Sequence, residues 1–168
     1  MTEILIRRFD LARDAEALRA CIIDQQDVHR SMEPSWPSGE SVVADYQAHL
    51  ETACAVHDGC ILMAECAGQA AGFACIAAST PGESPDDPAP CAWIYDIFVK
   101  PDYRRRGVAS ALMAEAERFA RTHGAHTLRL GVQARNEHAR AFYASCGFRD
   151  YACVLTKSLE LRSERPGD

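Results

Sequence analysis

Apolar residues along this chain change their period several times, and each change marks an element. Ile4 to Phe9 form a short, largely apolar run read as a first strand. From near Asp10 to about Val28, Leu11, Ala15, Leu18 and Ile22 recur at helical spacing, which predicts a helix with one inner face. The Pro- and Ser-rich stretch MEPSWPSGES interrupts that pattern. A second helix follows from about Ser38 or Ser41 to Cys54, with Val42, Val43, Tyr46 and Leu50 on one side. Ile61 to Cys66 and Gly72 to Ala78 read as a hairpin joined through Ala-Gly-Gln-Ala. Thr80 to Pro90 is polar and rich in proline, which argues against regular structure and fits a rim or lid over a substrate cleft.

The centre of the chain reads as strand, turn and helix in direct succession. Ala92 to Val99 is an apolar strand that Pro101 ends, because proline supplies no ladder N–H. After Gly107, apolar residues return at Val108, Ala109, Leu112, Met113, Ala116, Phe119 and Ala120, one face of a helix. Thr127 to Val132 then predicts a strand, Glu137 to Ser145 a helix, and Phe148 to Leu159 a last strand. Residues from about 160 to 168 read as a frayed tail. With no repeat and no internal linker, residues 1–168 are expected to form one domain, long enough to bury roughly 70% of its unfolded surface.

The turn between Val99 and Val108 carries the chemistry. A turn that feeds free backbone N–H groups into a helix start is an anion site, and Arg104, Arg105 and Arg106 add full positive charge there. The expected ligand is a phosphate or pyrophosphate, against the alternative of a solvated basic loop. The turn has neither the Walker lysine after a second glycine nor the three spaced glycines of a dinucleotide fingerprint. It does contain Arg104-x-x-Gly107-x-Ala109 behind an apolar strand, and Val132, Asn136, Ala139, Phe142, Tyr143, Gly147 and Phe148 stand further along. In both segments, and in their order, the chain resembles the GNAT superfamily of acyl-CoA-dependent N-acyltransferases.

That resemblance implies an α/β fold with a mixed sheet in the order β-α-α-β-β-β-α-β-α-β. Its two central parallel strands, here about Ala92 to Val99 and Thr127 to Val132, would splay apart to admit acetyl-CoA as co-substrate. It also implies that the amides of Arg104, Arg105, Arg106, Gly107, Val108, Ala109 and Ser110 hold the pyrophosphate. The pantetheine arm would pair with Ile97, Phe98 and Val99, one of whose amides would polarise the thioester carbonyl. Tyr143 matches the family's usual general acid, and a phenol with a pKa of about 10 can protonate a thiolate whose parent thiol lies near 8.5. The bland alternative is a core tyrosine beside Phe142. Asn136 matches a cofactor-contacting asparagine and also suits the N-cap of the following helix.

Asp96 is read from its place in an apolar strand, flanked by Ile94 and Phe98 on its own side and with Tyr95 projecting to the opposite face. A carboxylate there needs a partner or a raised pKa, so it is either a base acting through water or a structural aspartate. The family often carries glutamate one place earlier, where this chain has Tyr95. Direct transfer in a ternary complex needs no covalent nucleophile, and no G-x-S-x-G elbow occurs.

Composition narrows the partners. A formal net charge of −6 argues against nucleic acid, since a duplex binder needs a basic face, and leaves the arginine turn as a local exception. The expected acceptor is a primary amine on a small molecule; a protein N-terminus or lysine stays open, as does a non-catalytic acyl-CoA-binding regulatory domain. No apolar run suggests a membrane span or a leader, so a cytoplasmic protein is expected. A homodimer is in keeping with the family. The eight cysteines are scattered in apolar company and read as buried free thiols. Cys54, His57, Cys60 and Cys66 hold soft ligands at close spacing but not in paired C-x-x-C form, so no metal is expected. A zinc-stabilised interaction protein is the remaining rival.

Overall fold

The computed structural model describes residues 3–80 and 91–157. Its elements run β1 (Ile4–Arg8), α1 (Leu11–Met32), α2 (Gly39–Val56), β2 (Cys60–Cys66), β3 (Gln69–Thr80), β4 (Cys91–Val99), α3 (Val108–Thr122), β5 (Leu128–Leu130) and α4 (Glu137–Ser145). One mixed sheet has the strands in sequence order, antiparallel from β1 to β4 and parallel between β4 and β5.

The sheet is the middle of three layers. On one face Val108, Leu112, Met113, Ala116, Phe119 and Ala120 of α3 pack against alternate strand residues such as Leu62, Ala74 and Ile94. On the other, Leu18, Cys21 and Ile22 of α1 and Val43 and Leu50 of α2 pack against Ile61, Met63, Phe73 and Phe98. Every residue of β2 is buried, as a strand covered on both faces must be. Arg7 fixes α1 to this frame: its guanidinium reaches Asp14 at 2.5 and 2.6 Å and Glu65 at 2.8 Å, and Arg13 adds a 2.6 Å contact to Glu65. Asp14 is 3% exposed and its carboxyl is held below the usual range, first by the Arg7 hydrogen bonds.

Several sequence expectations need correcting. The hairpin connection is shorter than four residues: Cys66 pairs with Gln69, and Ala67 and Gly68 have φ of 51° and 75°, the two positive values a tight two-residue turn requires. Leu11, placed on the inner face of the first helix, is 63% exposed: it follows the Asp10 cap, which accepts from Ala12 N at 2.9 Å, and the first turn directs Asp14 inward instead, bonded to Arg7. Of the cysteines read as buried, Cys153 is exposed and Cys54 and Cys146 are half-buried.

The last predicted strand is not formed over residues 148–157. β5 is only three residues long, so its free edge offers few ladder partners. The segment beside it alternates no polar face with its apolar residues to fix a register. Tyr151, Val154 and Leu155 are 61%, 88% and 89% exposed. Residues 158–159 of that prediction, and the predicted lid from residue 81 to 90, lie outside the described residues.

One irregularity matters for the site. Cys75 pairs with Asp96 and Ile76 with Ile94, so Tyr95 is an extra residue in β4, a bulge. The inserted residue reverses which side chains face which layer. Ile94 faces α3, whereas Tyr95, Asp96 and Phe98 all turn toward α1 and α2. Asp96 therefore does not share a face with Ile94, and Tyr95 does not oppose it.

Candidate active site

β4 and β5 pair only at Ala92–Leu128, Trp93–Arg129 and Ile94–Leu130. Beyond that point β5 ends, while β4 continues to Val99 with β3 on one side and no strand on the other. Ile97, Phe98 and Val99 thus border an opening between two parallel strands that part. Ile97 and Val99 turn toward α3, and Phe98 is buried against α1 and α2.

The turn after β4 begins with a 3-10 turn at Pro101–Tyr103. Arg105 and Gly107 both have positive φ, 58° and 89°, and Gly107 is the N-cap of α3. The first amide of the helix with an internal partner is Ala111 N, bonded to Gly107 O at 2.9 Å. Among the described residues no acceptor meets the amides of residues 105 to 110, including those of Val108, Ala109 and Ser110. Converging amides at a helix start, with two left-handed residues before them, form a concave anion site. A Cβ at position 107 would meet only Ile4 Cδ1 at 3.7 Å, so the glycine is required by its φ and not by crowding within the chain.

The three arginines do different things. Arg104 folds back, donating through Nε to Val99 O at 3.0 Å and lying 5.9 Å from the Phe98 ring centre, so it closes the end of β4. Arg106 lies over Tyr103 at 5.8 Å. Arg105 and Arg106 are exposed beside the open amides.

Asp96 sits across the strand from this turn, 7% exposed. Tyr46 Oη donates to its Oδ2 at 2.7 Å, and Gln25 Nε2 donates to Oδ1 at 2.5 Å, so the carboxyl joins α1, α2 and the sheet. Burial pushes its pKa up from 3.8 to about 6, against the lowering effect of the two donors and of His49. Tyr46, His49 and Tyr95 form a run of rings at 6.2 and 5.8 Å. Gln25 Oε1 is buried and has no partner among the described residues. Sequence reasoning passed over Gln25 and His49. The signal for Gln25 was a polar residue at the next helical step after Leu18, Cys21 and Ile22, where an apolar one is expected. His49 is exposed and stands outside any apolar pattern, so nothing marked it.

Tyr143, on α4, packs between Phe142 and Phe148 with ring centres 5.6 and 5.9 Å away. Burial lifts its pKa to about 12, and the negative charge of Asp96 adds to the rise. Asn136 caps α4, its Oδ1 accepting from Ala139 N at 3.1 Å. The structure thus gives Asn136 the capping role outright. A depression of about 540 Å3 between the C-terminal end of α3 and Cys146–Tyr151 is lined by none of Asp96, Tyr143, Asn136 or the residues of the β4–α3 turn. Among the described residues no set of three His, Cys, Asp or Glu side chains could hold a metal ion, and no helix is long and apolar enough to cross a membrane.

Known proteins share parts of this sequence and its fold. Residues 25–148 match the family model described as the acetyltransferase (GNAT) family. The uncharacterized N-acetyltransferase YycN of Bacillus subtilis is 36% identical over 75 residues, 45% of this chain and 48% of that protein. An uncharacterized N-acetyltransferase of Methanocaldococcus jannaschii is 38% identical over 63 residues, 38% of this chain and 28% of that one. The chain spans less than half the length of either relative. Among solved structures, an aminoglycoside N-acetyltransferase in complex with CoA superposes with a TM-score of 0.69 at 22% identity, covering 96% of this chain and 97% of that one. A Bacillus halodurans protein reaches a TM-score of 0.79 at 19% identity, covering 93% and 99%. At such identities the structural likeness is one of fold. The family match covers both the β4–α3 turn and α4, and the chain belongs to the GNAT acetyltransferase family.

Proposed function

We propose that this protein transfers an acetyl group from acetyl-CoA to a primary amine of a small molecule, by direct attack in a ternary complex. The observation that carries the reading is the parting of β4 from β5 beside a turn whose amides are open. The amides of residues 105 to 110 bind the pyrophosphate, with Arg105 and Arg106 supplying charge. The free edge of Ile97 to Val99 pairs with the pantetheine arm, and an amide there polarises the thioester carbonyl.

Asp96 takes up the proton of the attacking amine through water. Its raised pKa makes it a stronger base than an ordinary carboxylate, and the proton is most acidic once the N–C bond has begun to form. Tyr46 and Gln25 are positioning residues that fix the carboxyl plane.

Tyr143 donates to the departing sulfur. With its pKa near 12, complete transfer to a free thiolate of parent pKa about 8.5 would be uphill by roughly 5 kcal/mol, so its part is a hydrogen bond during C–S cleavage. Tyr143→Phe should therefore lower kcat by about tenfold, at the foot of the usual range for a proton donor, with little change in KM. Unaltered turnover with a good acceptor would remove Tyr143 from the reaction.

The acceptor class follows from aminoglycoside-acetylating neighbours of the same fold and from the acidic balance of the chain. Thiol release from acetyl-CoA, measured across aminoglycosides, polyamines and peptides, tests it. Release that depends on small amines is expected. Release with peptides alone would move the reading to protein acetylation, and bound acetyl-CoA without release to any amine would leave a non-catalytic acyl-CoA-binding domain.

A further inference from the structure

Two cysteines outside the acetyl-transfer chemistry meet between α2 and the sheet. Cys54 Sγ on α2 lies 3.5 Å from Cys75 Sγ on β3, and Cys60, the first residue of β2, packs with the α3-side core instead. Their accessibility is graded. Cys54 is half-buried, in the wall of a surface depression of about 260 Å3 that also includes Arg8, Phe9, Glu51, Cys60 and Ile61. Cys60 is 7% exposed and Cys75 is fully buried behind Cys54. A small oxidant entering the depression meets Cys54 first, and the sulfur nearest to the product is Cys75.

Neither sulfur is held by a strong partner other than its neighbour. The remaining polar contacts are long, 4.0 Å from Cys54 Sγ to Ile76 O and 4.0 Å from Cys75 Sγ to Leu50 O. A disulfide needs about 2.05 Å between sulfurs, so the gap must close by roughly 1.5 Å, within reach of small rotamer changes and a slight shift of α2. The contact between the two sulfurs, in which either can donate, lowers the Cys54 thiol pKa against the effect of burial and raises that of Cys75, which burial raises further. That asymmetry suits an attacking residue and a resolving one.

We propose that Cys54 and Cys75 are a redox pair, in which hydrogen peroxide oxidises Cys54 and Cys75 resolves the product to an intramolecular disulfide. The Cys54 thiolate attacks one peroxide oxygen and the O–O bond breaks. The leaving hydroxide takes the Cys54 proton as water, and Cys54 becomes a sulfenic acid. The Cys75 sulfur then forms the S–S bond, displacing hydroxide, which leaves with the Cys75 proton as a second water. Two thiols lose two electrons in all, and one peroxide gains them. A small-molecule disulfide can replace peroxide, with its thiol as the leaving group in place of water.

The pair is built to couple two regions. The bond would tie α2, which carries Tyr46 and His49, to the β3 residue that pairs with Asp96.

The test is peptide mapping of the full chain after peroxide treatment, with free thiols alkylated on quenching. A peptide pair joined through Cys54 and Cys75, lighter by two hydrogens and restored by dithiothreitol, is the expected result. Cys60→Ser should still form it, and Cys75→Ala should instead leave a Cys54 sulfenic acid that dimedone traps. Linkage of Cys54 to Cys60, or Cys54 passing to higher oxides while Cys75 stays alkylatable, would overturn the assignment. The wild-type map decides by itself if a variant does not fold.

Discussion

Gly107→Val should abolish acetyl-CoA binding while leaving a folded domain. The residue sits at φ 89° and ψ −1° as N-cap of α3, a left-handed conformation that a β-branched side chain resists at a cost of roughly 1–3 kcal/mol. The domain's core lies elsewhere and can absorb that cost, but the turn cannot keep its shape. Rotating position 107 out of the left-handed region swings the amides of residues 106 to 108 away from a common focus. Each charge-assisted bond lost is worth roughly 1.5–3 kcal/mol, so two of them amount to a hundredfold to ten-thousandfold in affinity. A Cβ itself finds room, with only Ile4 Cδ1 at 3.7 Å, so Gly107→Asn should retain most of the binding, since asparagine tolerates the left-handed region. Calorimetry that returns the wild-type affinity for Gly107→Val would remove the turn from the cofactor site.

Asp96→Asn should slow turnover by about a hundredfold or more and erase the acid limb of the kcat/KM profile. In the native protein that limb should fall as pH drops through about 6, where Asp96 takes up a proton. Stability should move the other way. The folded-state pKa is raised above the unfolded value, so the contribution of Asp96 is fully present below pH 3.8 and is lost as pH rises through about 6, roughly 3 kcal/mol in all. The two opposed trends separate a catalytic role from a purely structural one. Asp96→Asn itself should fold well. Gln25 can turn its amide so that Oε1, unpartnered in the native protein among the described residues, accepts from the new NH2 group. A variant that keeps both the native rate and the native pH profile would make Asp96 a tie between helices and nothing more.

Much of the fold was readable because the apolar periods are long. α3 and α4 fall where spacing placed them, and the mixed α/β sheet has the anticipated order through α4. The turn at Arg104 to Ser110 was readable for a different reason: glycine, proline and consecutive arginines there act locally, and local geometry leaves local marks. What escaped was set by contacts between distant segments. The Tyr95 bulge depends on how β3 runs beside β4, and no alternation in CAWIYDIFV announces it. Gln25 and Tyr46 stand 71 and 50 residues from the carboxyl they hold. The last strand failed for the complementary reason. Apolar content from Phe148 onward suggested a strand, but a strand also needs a neighbour, and β5 offers three residues.

The extra residue at Tyr95 lets one strand obey two reading frames. Up to Ile94, the even-numbered residues of β4 pack toward α3; past the extra residue the odd-numbered Ile97 and Val99 do so, while Tyr95, Asp96 and Phe98 turn to α1 and α2. Substitutions at Ile94, Ile97, Phe98 and Val99 are answerable to core volume, and those at the half-buried Tyr95 to the shape of the surface it borders. Position 95 can therefore change its side chain without repacking the core residues on either side of it. Deleting Tyr95 would leave Asp96 directly after Ile94 and on the opposite face from it, so the carboxyl would keep its side while the ring beside His49 is lost, which makes that single residue free to change without moving the carboxyl.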